Sequence, residues 1–323
     1  MRVLVLMRSD RVDFDELARR HPEIDFAVTE DPVVFGKALP EAEVLITANN
    51  YFDKSVSARL KETRGKLRWI QLTTSGVDGA LRAGGFPKGV IVTNGAGVSA
   101  PMVAEHAFAL MLAVGHRVPD FIMDAQRRAW RRDLKAGMTA LFQKTLCIVG
   151  LGAIGQEAAK RARAFGMTVI GVSRDYRADG LIDEVFPRAR LHDAFAKADV
   201  VLLSTVASAE TVDMINARSL AAMKRGAILV NIARGDLIDE DALAAACRDG
   251  WLAGAGLDVT KVEPLPDSST LWGLPNIIVS PHLAGGGADN SRLILELLDE
   301  NLRRYTKGEP LIRVVDWESI VIV

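Results

Sequence analysis

Short apolar runs alternate with longer amphipathic stretches through the first hundred residues of the chain. The apolar runs are four or five residues long and rich in β-branched side chains, which is typical of strands buried on both faces. The pattern predicts strands over 3–7, 44–47, 69–72 and 90–93, and helices over 14–20 and 54–63. Such an alternation predicts βαβ units and a mostly parallel sheet.

A long apolar helix separates this region from a second alternating series. Ser99 is a candidate N-cap, Pro101 stands in the first turn, and residues 103–114 are apolar on nearly every side, which indicates a helix buried between layers. After a polar, basic stretch, the second series has predicted strands over 145–149, 168–172, 200–203, 228–232, 254–258 and 277–280. Six such strands with helices between them complete a doubly wound dinucleotide fold.

The two ends of the chain are predicted to build one domain together. Long helices enter and leave the second series, the last of them over 289–307. We therefore expect one domain from 1–99 and 289–323, interrupted by an inserted domain over 100–288. The predicted fold class is α/β, with two Rossmann-like domains of doubly wound parallel sheets. A length of 323 residues fits this division, because one core seldom grows beyond about 250–300 residues.

Composition and charge exclude several classes of protein. Hydrophobic residues make up 49% of the chain and charged residues 25%, which favours a folded protein over a disordered one. Forty Lys and Arg nearly balance 41 Asp and Glu, so the overall charge favours neither nucleic acid nor a membrane as partner. The first apolar run is too short for a signal peptide, and we expect a cytoplasmic protein. Cys147 and Cys247 lack metal-binding spacing, and no metal site is predicted.

A glycine-rich segment predicts a dinucleotide site. Residues 150–155 match G-x-G-x-x-G, directly after a predicted strand and directly before a predicted helix over 156–165. The first glycine allows the tight turn, the second lets the backbone approach a pyrophosphate, and the third lets helix and strand pack closely. The helix N-terminus adds partial positive charge. The alternative is a glycine-rich turn without a ligand. The residues predicted to bind the cofactor here are Gly150, Gly152, Ala153, Ile154 and Gly155.

The end of the strand over 168–172 indicates which dinucleotide to expect. Folds that prefer NAD place an acidic residue there, about twenty positions after the first glycine. This chain instead has Ser173 and Arg174, and only then Asp175. A hydroxyl and a guanidinium bind a 2′-phosphate, whereas a carboxylate repels it, so NADP(H) is favoured over NAD(H). The alternative is that Asp175 binds the ribose and that Arg174 is a solvated surface charge.

Three further segments follow the last three predicted strands, at the strand ends where an open α/β sheet binds its ligands. They contain Arg234, Glu263 and His282. Together these side chains supply a cation for a carboxylate, an acid for a carbonyl oxygen, and a carboxylate that orients the acid. This is the minimum set for reducing a keto acid. The alternatives are a structural histidine and an ordinary Arg-Gly-Asp turn.

The sequence as a whole resembles the D-isomer-specific 2-hydroxyacid dehydrogenase family, particularly its glyoxylate and hydroxypyruvate reductases. The resemblance covers essentially the whole chain. It includes residues 74–78, residues 103–107 on the long helix, the glycine fingerprint, and the Arg, Glu and His segments in the same order. It implies that the discontinuous domain is the substrate-binding, catalytic domain, that the inserted domain binds the dinucleotide, and that two copies form a homodimer.

The resemblance also implies roles for individual residues. His282 would be the proton donor in reduction, Glu263 would hydrogen-bond His282 and favour its protonated form, and Arg234 would bind the substrate carboxylate and the C2 oxygen. Asp258 would contact the nicotinamide carboxamide. Backbone N–H groups of three residues would bind the substrate carboxylate: Ser75, Gly76 and Val77. Two residues complete the predicted cofactor set: Ala233 and Val206, the latter where relatives commonly have proline.

The expected function is NAD(P)H-dependent reduction of a small 2-keto acid, of the glyoxylate or hydroxypyruvate kind, to the D-2-hydroxy acid. The alternative is a dinucleotide-sensing interaction module of the corepressor type, which keeps much of the same residue set. Glu105 and His106, on the buried helix, are expected to make structural hydrogen bonds. The stretch over 127–132 contains four arginines with Trp130 between them, and it is expected to form a dimer arm or a solvated surface.

Overall fold

The computed structural model describes residues 1–8, 12–63, 65–174 and 177–320, except the side chain of Ser319. Within these ranges the strands are β1 (Arg2–Leu6), β2 (Asp25–Thr29), β3 (Val44–Thr47), β4 (Trp69–Leu72), β5 (Ile91–Thr93), β6 (Thr145–Val149), β7 (Thr168–Val172), β8 (Glu184–Phe186), β9 (Val200–Leu203), β10 (Ile228–Asn231), β11 (Gly254–Leu257) and β12 (Ile277–Val279). The α-helices there are α1 (Phe14–Arg20), α2 (Pro32–Ala38), α3 (Lys54–Glu62), α4 (Asp78–Arg82), α5 (Ala100–Gly115), α6 (Val118–Gln126), α7 (Ala153–Ala164), α8 (Leu191–Lys197), α9 (Ala217–Ala221), α10 (Glu240–Arg248) and α11 (Ala288–Lys307).

The first compact unit combines residues 1–99 with the C-terminal segment from residue 286. Its described strands form a parallel sheet in the order β2-β1-β3-β4-β5. α11 packs on this sheet through Ile294, Leu298 and Leu302, which are buried with Val3 and Val5 of β1. Their spacing of four residues keeps them on one face of the helix. The C-terminal helix therefore completes the core that the N-terminal strands begin.

The second compact unit spans residues 100–285. Its described strands form a parallel sheet in the order β12-β11-β10-β9-β6-β7-β8. The chain builds β7 and β8 on one side of β6 and the later strands on the other, so the strand order reverses between β6 and β9. Because the strands are parallel, all their carboxyl ends meet at one edge, and the point of reversal is where open α/β sheets bind ligands.

Both faces of the second sheet are buried. In β9, Val201 and Leu203 belong to one hydrophobic core, while Val200 and Leu202 belong to the core on the other face. Strands of this kind have continuous apolar sequences, which is why β9 could be predicted with its observed bounds. None of the described helices is both long and apolar enough to cross a membrane.

Most predicted elements are present, and the differences lie at the sheet edges. The expectation of six strands in the second series is wrong, because the described part of that sheet contains a seventh, β8 at the edge. β2 and α2 were likewise not predicted. β8 has only three residues, and β2 is partly exposed with an aspartate at its start, so neither has a strong apolar pattern. Edge strands are short and partly solvated, and their sequences carry a weaker signal.

Candidate active site

Two glycines of the turn after β6, Gly150 and Gly155, stand where a larger residue does not fit. Gly150 has φ +98°, and a Cβ there would lie 2.7 Å from the carbonyl oxygen of Ser204, at the end of β9. The Ser204 hydroxyl donates to the carbonyl oxygen of Gly150 at 2.7 Å. A Cβ at Gly155 would lie 2.2 Å from the same Gly150 oxygen. Close packing of strand, turn and helix therefore requires both glycines.

Gly152 differs because nothing fills the space beside it. It is the N-cap of α7, and no heavy atom lies within 4 Å of the position its Cβ would take. Ala153 and Ile154 begin the helix, whose first N–H groups have no acceptor within the helix and carry partial positive charge. An open backbone surface beside these donors fits the pyrophosphate of a dinucleotide.

The strands on either side of β6 carry Ser173, Arg174 and Val206 to the same sheet edge. After β7, the N–H of the half-buried Ser173 donates to the carbonyl oxygen of Phe186 at 3.1 Å, and Arg174 is exposed. After β9, Val206 is 73% exposed. Asp175, the alternative ribose ligand, lies outside the described residues. The NADP(H) preference therefore remains a prediction based on Ser173 and Arg174.

His282 and Glu263 form a hydrogen-bonded pair. Nδ1 of His282 lies 2.8 Å from Oε2 of Glu263, and the N–H of Thr260 donates to the other carboxylate oxygen at 3.2 Å. The His282 and Glu263 side chains are 52% and 40% exposed, so solvent screens the attraction between them. The pair therefore orients the imidazole ring and contributes little to the stability of the fold. With Nδ1 engaged, Nε2 is the nitrogen available to a substrate.

Arg234 stands on a segment that a buried amide holds in place. Asn231, the last residue of β10, is fully buried; its Oδ1 accepts from the N–H of Ala233 at 3.0 Å, and its Nδ2 donates to the carbonyl oxygen of Arg234 at 2.8 Å. The Arg234 guanidinium donates to the carbonyl oxygen of Ala233 at 2.6 Å. The sequence interpretation gave Asn231 no role. A polar residue ending an otherwise apolar strand is the signal that identifies it.

A close backbone contact joins the Arg234 segment to the Glu263 segment. A Cβ at Gly235 would lie 2.0 Å from the carbonyl carbon of Thr260. The turns after β10 and β11 are therefore in direct contact, and the glycine of the Arg-Gly-Asp sequence is what allows this. The predicted catalytic residues thus stand on adjoining turns at one edge of the second sheet.

Asp258 holds the turn that carries His282. Its carboxylate is 1% exposed and accepts from the Ser280 hydroxyl at 2.6 Å and from the N–H groups of Leu283 and Ala284 at 2.8 and 3.0 Å. Its backbone oxygen accepts from the N–H of His282 at 2.8 Å. The predicted contact of Asp258 with a nicotinamide carboxamide stays a prediction.

His106 reaches this cluster from α5. Its Nε2 lies 2.8 Å from the Ser280 hydroxyl oxygen and 3.3 Å from Oδ1 of Asp258. Hydrogen bonding was expected of His106, but its connection to the His282 turn was not. The neighbouring Glu105 is exposed, and the structural hydrogen bond expected of it stays a prediction.

Lys261, two residues before Glu263, is a cation rather than a base. Its ammonium group lies 2.6 Å from the Asp213 carboxylate. The hydrogen bond to Asp213 raises the pKa of Lys261 above its ordinary value. Lys261 therefore stays protonated under ordinary assay conditions, and His282 is the better candidate for exchanging a proton with a substrate.

The predicted carboxylate-binding turn lies in the first compact unit. The Ser75 hydroxyl donates to the carbonyl oxygen of Gly95 at 3.1 Å, and Nδ2 of the buried Asn94 donates to the carbonyl oxygen of Ser75 at 2.7 Å. The Thr74 hydroxyl lies 3.3 Å from the carbonyl oxygen of Gly76, and Val77 precedes α4. Side chains thus fix this turn through its carbonyl groups. Substrate binding by its N–H groups stays a prediction.

Comparison with known proteins gives consistent matches. The family model described as "D-isomer specific 2-hydroxyacid dehydrogenase, NAD binding domain" matches residues 108–284. The glyoxylate reductase of Korarchaeum cryptofilum is 32% identical over 313 residues, covering 94% of this chain and 92% of that protein. A D-isomer specific 2-hydroxyacid dehydrogenase family protein from Aeromonas salmonicida superposes with a TM-score of 0.86 at 32% identity, covering 98% of this chain and 99% of that one. A family member from Xanthobacter autotrophicus, solved with NADPH and MES, gives a TM-score of 0.78 at 27% identity and covers 97% of both chains.

The matched range includes the glycine-rich turn and the residues Arg234, Glu263 and His282. The solved relatives share the two-domain α/β arrangement over nearly their whole length. The chain therefore belongs to the D-isomer specific 2-hydroxyacid dehydrogenase family, and it is an oxidoreductase that uses a nicotinamide dinucleotide.

Proposed function

We propose that this enzyme reduces a small 2-keto acid of the glyoxylate or hydroxypyruvate class to the D-2-hydroxy acid, with NADPH as the preferred reductant. The observation that carries the proposal is the 2.8 Å pair of His282 and Glu263, which stands on the turn next to that of Arg234. These turns lie at the same sheet edge as the open backbone surface at Gly152. The similarity to a glyoxylate reductase supports the substrate class.

His282 supplies the proton in this proposal. Glu263 accepts a hydrogen bond from Nδ1–H of His282, which fixes the ring and leaves Nε2–H to donate to the C2 oxygen of the keto acid. A dinucleotide held at the glycine-rich turn would supply the hydride for C2. The hydride and the proton together convert the C2 carbonyl group into an alcohol, and Nε2 removes the proton in the reverse direction.

Arg234 binds the anionic part of the substrate. A guanidinium forms two parallel hydrogen bonds to a carboxylate and offers further N–H donors to the neighbouring C2 oxygen, where negative charge develops during reduction. The Asn231 amide bonds to the N–H of Ala233 and to the carbonyl oxygen of Arg234. The backbone that carries the guanidinium is therefore held in a fixed position. This arrangement selects an acid with its carbonyl group directly beside the carboxylate.

The preference for NADPH rests on Ser173 and Arg174. The exposed Arg174 follows β7, next to β6 in the sheet, where the adenosine ribose of a dinucleotide binds in this fold. The NADPH complex of the Xanthobacter autotrophicus relative supports the same choice. A charge-assisted hydrogen bond contributes about 1.5–3 kcal/mol, so Arg174→Ala should lower the kcat/KM ratio of NADPH to NADH by about ten- to a hundredfold.

A homodimer is part of the proposal. The large apolar side chains of Phe121, Ile122 and Met123 on α6 are 44–49% exposed, and Trp130 shortly after them is 91% exposed. Adjacent exposed apolar side chains of this size mark interaction surfaces. Light scattering should give twice the monomer mass for the wild-type enzyme and the monomer mass for Phe121→Glu.

The substrate proposal is tested with a panel of 2-keto acids, following the absorbance of NADPH. We expect the highest kcat/KM with glyoxylate or hydroxypyruvate and lower values for larger 2-keto acids. Arg234→Ala and His282→Ala should each abolish turnover while leaving NADPH binding largely intact. Arg218→Ala and His192→Ala, which remove the same side-chain types on α9 and α8, should keep it. Full turnover in both Arg234→Ala and His282→Ala would overturn the proposal.

A further inference from the structure

The turn over 280–284 carries His282 in an unusual backbone conformation. His282 has φ +54°, in the left-handed region that residues other than glycine seldom occupy. Such a conformation persists only when surrounding contacts determine it. The position of the His282 ring next to Glu263 therefore depends on what holds this turn.

The buried carboxylate of Asp258 holds the turn on both sides of His282. Before His282 it accepts from the Ser280 hydroxyl at 2.6 Å, and after it from the next two N–H groups at 2.8 and 3.0 Å. The N–H of His282 itself donates to the backbone oxygen of Asp258. At 1% exposure the carboxylate has almost no access to water, so these donors replace its hydration.

His106 adds a second layer of hydrogen bonding from a different element. A serine hydroxyl has one proton, and at 2.6 Å Ser280 gives it to Asp258. Nε2 of His106, 2.8 Å from the Ser280 oxygen, must then carry a proton and donate it. The donor chain runs from His106 to Ser280 to Asp258. It connects the sixteen-residue helix α5 to the turn that bears the proton donor.

We propose that His106 and Ser280 are positioning residues for catalysis, acting through Asp258 to hold His282 against Glu263. The proposal rests on the proposed function, because it takes His282 as the proton donor. Neither residue is among those proposed to bind the substrate. Their loss should therefore lower kcat and leave substrate KM nearly unchanged.

The test compares disruptive and conservative variants at each position. Ser280→Ala removes the hydroxyl and Ser280→Thr keeps it, while His106→Leu removes the donor and His106→Gln keeps one. Because misplacement of a catalytic group by 1 Å costs up to about a hundredfold, we expect Ser280→Ala and His106→Leu to lower kcat by about ten- to a hundredfold. Substrate KM should stay within about threefold, and the conservative variants should recover most of the loss. His116→Leu, just beyond the end of α5 and about 15 Å along the helix axis, is the matched control.

A second readout does not depend on turnover. The ring ¹H–¹³C signals of His282, assigned by their absence in His282→Gln, should shift in Ser280→Ala and His106→Leu and stay in place in Ser280→Thr. Wild-type kcat and unshifted ring signals in both disruptive variants would overturn the positioning role, even if both unfold at lower temperature. Absence of 2-keto acid reduction by the wild-type enzyme would instead contradict the proposed function, and the ring signals would still decide whether this cluster sets the position of His282.

Discussion

Gly152→Ala separates cofactor binding from folding more cleanly than other changes in the glycine-rich turn. A Cβ at Gly152 meets no heavy atom within 4 Å, and the backbone there, with φ −72° and ψ −165°, is one that alanine adopts readily. The ligand-free chain should therefore tolerate the methyl group. We expect its free energy of unfolding to change by no more than about 0.5 kcal/mol.

Dinucleotide binding should respond very differently. The methyl group would occupy the space through which a pyrophosphate reaches the first N–H groups of α7. Each charge-assisted hydrogen bond contributes about 1.5–3 kcal/mol, so losing two of them costs about 3–6 kcal/mol. At about 1.4 kcal/mol for each tenfold change, the Kd for the dinucleotide should rise by about a hundredfold to ten-thousandfold.

The assay is titration calorimetry with NADPH and NADH, paired with urea unfolding of the ligand-free protein. Gly155→Ala provides the contrast, because its Cβ would lie 2.2 Å from the Gly150 oxygen and should destabilise the ligand-free fold by about 1–3 kcal/mol. Gly180→Ala, which also adds a Cβ in open space but lies outside the turn, should change neither quantity. An unchanged Kd in a stably folded Gly152→Ala protein would refute the placement of the pyrophosphate beside this residue.

Three further predictions concern the turns and the first unit. Gly235→Ala places a Cβ 2.0 Å from the Thr260 carbonyl carbon and should push apart the turns that carry Arg234 and Glu263. We expect kcat to fall by about a hundredfold with an unchanged far-ultraviolet circular dichroism spectrum, and a wild-type kcat would show that this contact does not determine the position of the two turns. Asn231→Leu removes the acceptor of the N–H of the buried Ala233 and leaves the Arg234 carbonyl oxygen only the 3.4 Å bond from the N–H of Leu237, so the free energy of urea unfolding should fall by about 1–3 kcal/mol. A loss below about 0.5 kcal/mol would contradict the role of Asn231 in holding this segment. Burial, with a hydrogen bond to Glu43, raises the pKa of Tyr305 from 10.0 to about 12. The stability that neutral Tyr305 provides is therefore complete below pH 10 and lost as pH rises towards 12, and Tyr305→Phe should flatten this part of the stability profile.

The apolar pattern predicted the central strands almost to the residue. β3, β4, β6 and β9 have their predicted bounds because both faces of each are buried, and a continuous apolar run between polar residues has few other interpretations. The edge strand β8 and the partly exposed β2 gave no comparable signal. Their places in the sheets depend on pairing with neighbours that local sequence does not specify.

In the site, too, the local sequence patterns could be predicted and the contacts between distant positions could not. The glycine turn and the Arg, Glu and His segments are local patterns at strand ends, and they could be identified before the fold was known. The cluster of His106, Asp258 and Ser280 joins positions far apart in the chain through three hydrogen-bonding groups, which no spacing rule relates. The left-handed backbone of His282 and the contact beneath Gly235 are likewise products of tertiary packing.

Hydride transfer to C2 with His282 as the proton donor is tested by following a deuterium label. Hydroxypyruvate is reduced in ordinary water with NADPH deuterated at its transferable C4 position, and the product is examined by mass spectrometry and chiral chromatography. We expect D-glycerate with one deuterium at C2 from the wild-type enzyme and no detectable product from His282→Gln with NADPH still bound. Deuterium lost to water, an L product, or wild-type turnover in His282→Gln would contradict it.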